Sequence, residues 1–255
     1  LVVLSLFSGF GIFMIPAGAS IVLILTMYLM VFGALYSWLK TWTISFLILL
    51  IVTLNSISGI PGCQRMEKAP GLDYENTALP YTYEALDALT TDSIVAYDKL
   101  AMIATLENWK ARQATSKPKL IIFNSSGGGM RSSLFTLATM QYLDSITAGD
   151  FQKKLFLIAG SSGGMIGASY YRELYLQRDQ GKLLGINNRS YYNVLGTDIL
   201  NTVGFTLAVN DLFIPLKSFK KAGYKYRVSR GSAWDKRFNE NTNSILEKPF
   251  VDYQN

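Results

Sequence analysis

The stretch LFLIAGSSGGMIGASYY, residues 155–171, decides the fold, because an apolar run breaks into five small residues and then resumes. Residues 154–160 have the apolar, β-rich character of a buried strand, and residues 165–177 repeat apolar side chains at helical spacing. The turn between them, residues 160–164, contains only glycine and serine. Such a turn either presents a serine as a nucleophile or is an ordinary turn that contains serine.

A second stretch, LIIFNSSGGG at residues 120–129, repeats this pattern: a short apolar strand, a glycine-rich turn and then a helical period over residues 130–146. Strand, helix, strand and helix in this order predict an α/β fold with a parallel sheet covered on both faces. The carboxyl ends of parallel strands lie on one edge of a sheet, where ligands bind. We therefore expect Gly127–Gly129 and Ser162 to be neighbours in space.

The second turn has the G-x-S-x-G pattern, with Gly160 and Gly164 on either side of Ser162. Between a strand and a helix this pattern exposes the serine at a helix N-terminus, where free N–H groups favour developing negative charge. The glycine triplet at 127–129 leaves further backbone N–H groups uncovered, as an oxyanion hole requires. Nucleophile and anion hole therefore occur together, although two purely structural turns stay an open alternative.

Other glycine-rich sites do not match. A phosphate-binding loop would need Gly-Lys-Ser/Thr after the triplet, and the dinucleotide pattern fails at Ser132, where its last glycine belongs. The chain has no histidine, which excludes a Ser-His-Asp triad within these 255 residues. The Ser-x-x-Lys patterns at residues 116–119 and 218–221 lack companion motifs and are interpreted as chance.

The segments SSGGGMRSSLFTLATMQYLD and LFLIAGSSGGMIGASYY together resemble the patatin-like phospholipase family over about residues 119–178. The resemblance implies a three-layer α/β/α fold and a Ser–Asp dyad, with no metal and no cofactor. It implies Ser162 as nucleophile, Arg131 as the basic residue after the triplet, and an oxyanion hole formed by Gly127, Gly128, Gly129 and Gly163. Ser132 departs from the family's usual glycine.

The family's aspartate stands in an Asp-Gly-Gly or Asp-Gly-Ala turn, and the chain contains no Asp-Gly pair. Asp198, Asp211, Asp235 and Asp252 all lie in other local sequences. We therefore expect the dyad aspartate to lie beyond Asn255, in a hydrolase domain that is cut at its C-terminus. A catalytically inactive relative is the competing interpretation.

The first 64 residues contain a single charge, Lys40. Apolar runs there predict two or three transmembrane helices, at about residues 1–15, 20–37 and 41–58, in a chain whose N-terminus we also expect to be cut. A signal peptide followed by core helices is the alternative, although a signal sequence has one apolar run, not three. The charges that flank these runs lean toward a cytoplasmic C-terminal part, with which the single Cys63 agrees.

After the membrane region at 1–60, residues 61–116 predict a connector and an amphipathic helix, and residues 117–255 the N-terminal part of the hydrolase domain. Residues 191–215 predict one long apolar helix, either a core helix or the wall of an acyl channel. Residues 217–230 hold six basic residues and no acid, either as a solvated loop or as a site for anionic lipid headgroups.

These observations predict a membrane-anchored serine lipid acyl hydrolase whose substrates are membrane lipids. The alternative is an inactive patatin-like module that serves as a membrane scaffold or regulator. A transporter fragment is disfavoured because the predicted spans carry no membrane-embedded polar pair. No nucleic-acid partner is expected, and the sequence does not indicate an oligomeric state.

Overall fold

A computed structural model describes residues 16–58, 69–72, 76–77, 80–207, 218–221, 223–249 and 252. The chain divides into two compact units. The first combines Leu1–Leu72 with Asp198–Asn241, and the second combines Asp73–Thr197 with Thr242–Asn255. The domain boundaries near residues 60 and 117 stay predictions.

The first unit begins with helix α1 (Ala17–Leu39), a 3₁₀ turn at Lys40–Trp42 and helix α2 (Thr43–Ser58). Lys40 has a left-handed φ of +45° and interrupts the helix at the lone charge of the apolar region. Most side chains of both helices are exposed. Large apolar surfaces, such as those of Leu29 and Ile44, are therefore not covered by other parts of the protein that the structure describes.

One segment of the described residues, Gly18–Leu54, is long and apolar enough to cross a membrane. At 1.5 Å per residue α1 alone measures about 35 Å and α2 about 24 Å, against a hydrocarbon thickness of about 30 Å. The apolar N-terminal segment is therefore present, and the number of crossings stays a prediction. The predicted span at 1–15 lies outside the described residues.

The rest of the first unit comprises helix α9 (Leu200–Thr206), strands β3 (Ser218–Lys221) and β4 (Tyr224–Arg227), and most of helix α10 (Arg230–Thr242). The loop predicted for residues 217–230 is wrong over its middle, because β3 and β4 form an antiparallel hairpin. Gly223, with φ of +84°, supplies the left-handed residue that a two-residue hairpin turn requires.

The long helix predicted for residues 191–215 is also wrong. It is two short helices, α8 (Ser190–Leu195) in the second unit and α9 in the first. The chain leaves the helical path after Gly196, and the Asp198 carboxylate accepts the Leu200 N–H at 2.9 Å, which starts a new helix. The end of the predicted helix, residues 208–215, lies outside the described residues.

The second unit begins with helices α3 (Tyr83–Ala88) and α4 (Asp92–Ala111). The Thr82 hydroxyl accepts the Ala85 N–H and caps α3. Helix α4 lies within residues 61–116, where an amphipathic helix is predicted, but its apolar residues do not form one covered face. Trp109 is its one buried residue, and side chains on several sides of it, among them Val95, Tyr97, Leu100 and Met102, are exposed.

The centre of the second unit is the predicted strand–helix–strand–helix unit. Its elements are β1 (Ile121–Ser125), α5 (Gly129–Ile146), the short α6 (Asp150–Lys154), β2 (Leu155–Gly160) and α7 (Ser162–Asp179). The strands pair in parallel, with Ser125 opposite Gly160 at their carboxyl ends. Helices α5 and α7 pack on each other through fully buried side chains, including Leu137, Met140 and Tyr171.

The described part of this sheet has two strands, so the mixed α/β class is present but a third layer and a wider sheet are not. The prediction that both faces of the strands are covered is wrong here. Ile122 is 58% exposed and Leu157 44%, because in the described residues no element covers that side of the sheet.

Candidate active site

The two glycine-rich corners lie side by side, as the parallel pairing of β1 and β2 predicts. A Cβ atom built on Gly127 would lie 3.3 Å from the Ser162 Cβ and 3.2 Å from the Ser161 Oγ. The chain itself connects the corners: the Ser161 N–H donates to the Ser125 carbonyl at 3.2 Å. The glycine triplet therefore begins beside the candidate nucleophile, so close that a side chain on Gly127 would crowd it.

Ser162 has the geometry that a nucleophilic serine between strand and helix requires. It is the first residue of α7, its side chain is exposed, and it has a left-handed φ of +47°. A non-glycine residue in this region costs on the order of 1–3 kcal/mol and persists only where the surrounding structure imposes it. No residue in the described ranges forms a hydrogen bond with the Ser162 hydroxyl, which leaves it open to a substrate.

The glycine triplet is exposed, and two of its residues have a backbone conformation that only glycine adopts freely. Gly128 and Gly129 have φ values of +153° and +60°. Ser132, where the family resemblance leads one to expect glycine, donates its hydroxyl proton to the Ser126 carbonyl and so braces the loop. Arg131 lies exposed in the first turn of α5.

The glycines of the serine corner are required for space. A Cβ on Gly163 would lie 2.0 Å from the Gly129 carbonyl oxygen, and a Cβ on Gly164 would lie 2.3 Å from that of Ser126. A Cβ on Gly160 would lie 2.3 Å from the Ser125 Oγ. These three glycines let the backbones of the two corners touch, which holds Ser162 against the triplet.

Helices α5 and α7 run side by side in the same direction. Gly129 contacts Gly163, Ser133 contacts Gly167, and Arg178 pairs with Asp144. The Ser133 hydroxyl, fully buried, donates to the Gly163 carbonyl at 2.7 Å and ties the two helix starts together. Ser133 was not identified from the sequence. Its spacing was the available signal, because a residue four positions after Gly129 lies on the same helix face and so faces the same neighbouring helix.

The buried carboxylates of the second unit are engaged elsewhere. Asp144 Oδ2 lies 3.3 Å from Arg178 Nη1, and it is 15 residues along α5 from Gly129, about 22 Å at 1.5 Å per residue. Glu173 lies 2.6 Å from Arg172 Nη1 and also pairs with Lys248. Neither carboxylate contacts Ser162.

Two buried tyrosines follow Ser162 on α7. Burial and the nearby Tyr191 raise the pKa of Tyr170 to about 12. Burial, followed by the charge of Asp144, raises the pKa of Tyr171 well above its usual range. Both phenols therefore stay protonated and cannot act as bases near neutral pH.

The aspartates considered from the sequence occupy other places. Asp198 caps α9 through Leu200 and Asn201, and Asp235 lies within α10. Asp252 donates its N–H to the Pro249 carbonyl, and Asp211 lies outside the described residues. Within the described ranges, no group of three or more His, Cys, Asp or Glu residues is arranged to hold a metal ion.

Comparison with protein-family models, with curated proteins and with solved structures gave no match to this chain. Support for a function therefore comes only from this chain's own sequence and geometry.

Proposed function

We propose that this protein is a membrane-anchored serine hydrolase that cleaves acyl esters of membrane lipids, in the manner of the patatin-like phospholipases. The observation that carries the proposal is Ser162: an exposed serine with left-handed φ, at the start of a helix and beside an exposed glycine triplet. An ordinary turn does not require a serine with left-handed φ. In a nucleophilic turn this backbone conformation exposes the serine hydroxyl to the substrate.

In the proposed reaction the Ser162 Oγ attacks the ester carbonyl carbon, forming an acyl-enzyme that water then hydrolyses. The carbonyl oxygen, which becomes an anion in the transition state, accepts hydrogen bonds from backbone N–H groups of Gly127–Gly129 and of Gly163. One such donor contributes about 3–4 kcal/mol to the transition state. The positive end of α7 adds to this stabilisation.

The proposal requires a base that takes the serine proton. The resemblance supplies an aspartate for this role, and in our proposal it comes from outside the described residues. The second candidate function, an inactive module that serves as a membrane scaffold, is favoured by one observation. In the described residues no carboxylate contacts the Ser162 hydroxyl.

The proposed location follows from the apolar segment Gly18–Leu54. We propose two crossings, one in α1 and one in α2, that meet at an interface near Lys40. Trp38 and Trp42 flank this lysine and are 88% and 73% exposed, as aromatic residues of an interfacial belt are. The C-terminal part then faces the cytoplasm, and the anchor keeps the serine close to its lipid substrates.

Labelling with a fluorophosphonate tests the proposal, because this probe reacts only with an activated serine. The full chain in detergent micelles, with its native continuation where the gene encodes one, should be labelled at Ser162 as mapped by peptide mass spectrometry. Ser162→Ala should abolish labelling, and Ser161→Ala, which removes the neighbouring hydroxyl, should retain most of it. Absence of labelling at Ser162 would instead support the inactive scaffold.

A further inference from the structure

The β3–β4 hairpin of the first unit has one strongly basic face. The antiparallel register places Lys220 opposite Lys225 and Ser218 opposite Arg227. Side chains alternate between the faces of a strand, so these four residues share one side, which we call the basic face. It contains three cations and no carboxylate.

The opposite side of the hairpin is packed at one of its two cross-strand pairs. Phe219 and Tyr226 are cross-strand partners whose rings stack with centroids 5.5 Å apart, and Tyr226 is only 7% exposed. This packing fixes which way the hairpin faces. Lys220 and Lys225 are consequently held on the outer side, and both are exposed.

The lysine pair is unfavourable in the free protein. Residues directly opposite in an antiparallel pair have Cβ atoms about 4.5–5.5 Å apart, and like charges there are destabilising. In the described ranges no carboxylate lies within ion-pair distance of Lys220 or Lys225. An anion bound across the pair would remove this repulsion.

The hairpin belongs to the same compact unit as the apolar segment. Helix α9 packs on α1, and the buried Ser20 hydroxyl donates to the Asn201 Oδ1 at 2.7 Å. Ser20 lies in the first turn of α1, at one end of that helix. Helix α9 is therefore tied to one end of α1, which in the proposed membrane placement lies at the level of the lipid headgroups.

We propose that the basic face of the hairpin docks on anionic phospholipid headgroups of the membrane that holds the apolar segment. The exposed lysine pair matches phosphates or carboxylates spread over a surface. Each basic residue near such a surface strengthens binding by roughly fivefold. The docking rests on the proposed membrane placement, but it does not depend on Ser162 or on any hydrolase activity.

The test uses the full chain in lipid nanodiscs of phosphatidylcholine alone or with about a third phosphatidylserine. Cys63→Ser and Ser218→Cys together allow a single NBD fluorophore on the basic face, and a spin-labelled headgroup lipid quenches it at the surface. We expect strong quenching only in the anionic discs. We also expect its loss when salt rises from about 0.1 to about 1 M, which shortens the screening length from about 10 to about 3 Å.

Charge variants give the second measurement. Lys220→Gln with Lys225→Gln should lower the bound-to-free ratio of the hairpin by about 25-fold. Lys153→Gln with Lys182→Gln removes the same charge from exposed positions of the second unit and should leave the ratio within twofold. Equal quenching in both kinds of disc, or no effect of the hairpin variants, would overturn the proposal. A probe response to added short duplex DNA but not to phosphatidylserine would overturn it in favour of nucleic acid.

Discussion

The corner after β1 uses residues 126–128 to pass from strand to helix, whereas the corner after β2 uses only Ser161. Both helices then begin on a residue with left-handed φ, Gly129 at +60° and Ser162 at +47°. The longer corner gives this conformation to glycine, which adopts it freely. In the shorter corner a serine has the left-handed φ. The glycines of that corner lie at the positions where the two corners approach each other closely.

The difference shows that glycine has two separate roles in these corners. In the triplet it permits the φ of Gly128 and Gly129, and in the serine corner it provides space at Gly160, Gly163 and Gly164. A chain that needed only two turns would place glycine at the strained position in both. The strained serine is therefore the feature that separates a candidate active site from a structural turn.

The largest expected effect tests the role of space. Gly163→Ala places a Cβ 2.0 Å from the Gly129 carbonyl oxygen, which is backbone and cannot rotate away. We expect the free energy of unfolding to fall by about 3 kcal/mol or more, as for severe overpacking. Denaturation monitored by tyrosine and tryptophan fluorescence in detergent measures it. Gly185→Ala, whose Cβ meets nothing within 4 Å, is the control and should stay within about 0.5 kcal/mol.

Gly128→Ala tests the conformational role. Its φ of +153° and a Cβ contact of 3.1 Å with Ser132 should cost about 1–3 kcal/mol of stability. Because the loop would also move its N–H groups, ester hydrolysis should fall about 100-fold. Gly149→Ala, at φ of +85° with open space around its Cβ, should lose similar stability but no activity. Equal activity of the two variants would contradict the oxyanion assignment.

Ser162→Gly tests the strain directly. Glycine relieves the left-handed φ, so we expect a gain in stability of about 1 kcal/mol with complete loss of fluorophosphonate labelling. Ser161→Gly is the matched variant: Ser161 has an ordinary extended φ of −131°, and glycine there should cost about 0.5–1 kcal/mol. Chemical denaturation compares the two. If both variants lose stability, Ser162 is not strained.

The smallest effect concerns the bond between the helix starts. Ser133→Ala removes the buried hydroxyl that donates to the Gly163 carbonyl, with an expected loss of about 1 kcal/mol. Thr139→Ala is the control: it removes a solvent-exposed hydrogen bond from the half-buried Thr139 to the Phe135 carbonyl, and stability should change by about 0.5 kcal/mol or less. Thermal unfolding of both variants checks this order, and a larger loss at Thr139 would reverse our account of the interface.

Much of the second unit could be predicted from the sequence, because its signals are local. The bounds of β1, α5, β2 and α7 were predicted to within a few residues. The prediction used apolar runs of strand length, helical periods and glycine-rich breaks. Parallel pairing then brought Gly127 and Ser162 together. The short α6 was not predicted, since five residues carry too little periodicity.

The first unit shows where local signals stop. The hairpin of β3 and β4 depends on Phe219 and Tyr226 stacking across a turn, a contact between strands that a run of basic residues conceals. The mostly apolar composition of residues 191–215 concealed the break at Gly196. That break depends on one carboxylate, Asp198, capping a new helix.

The sequence by itself determined the apolar segment with its interruption at Lys40, the order of strands and helices around the two corners, and the choice of Ser162 as candidate nucleophile. These follow from hydropathy, period and composition, which act along the chain. Only the tertiary structure decided that Ser162 is strained and that Gly163 must be glycine. It also decided that the buried carboxylates of Asp144 and Glu173 form ion pairs with basic residues and do not contact the serine. Those properties arise from close contact between residues distant in sequence, and neither composition nor spacing encodes how near two backbones will come.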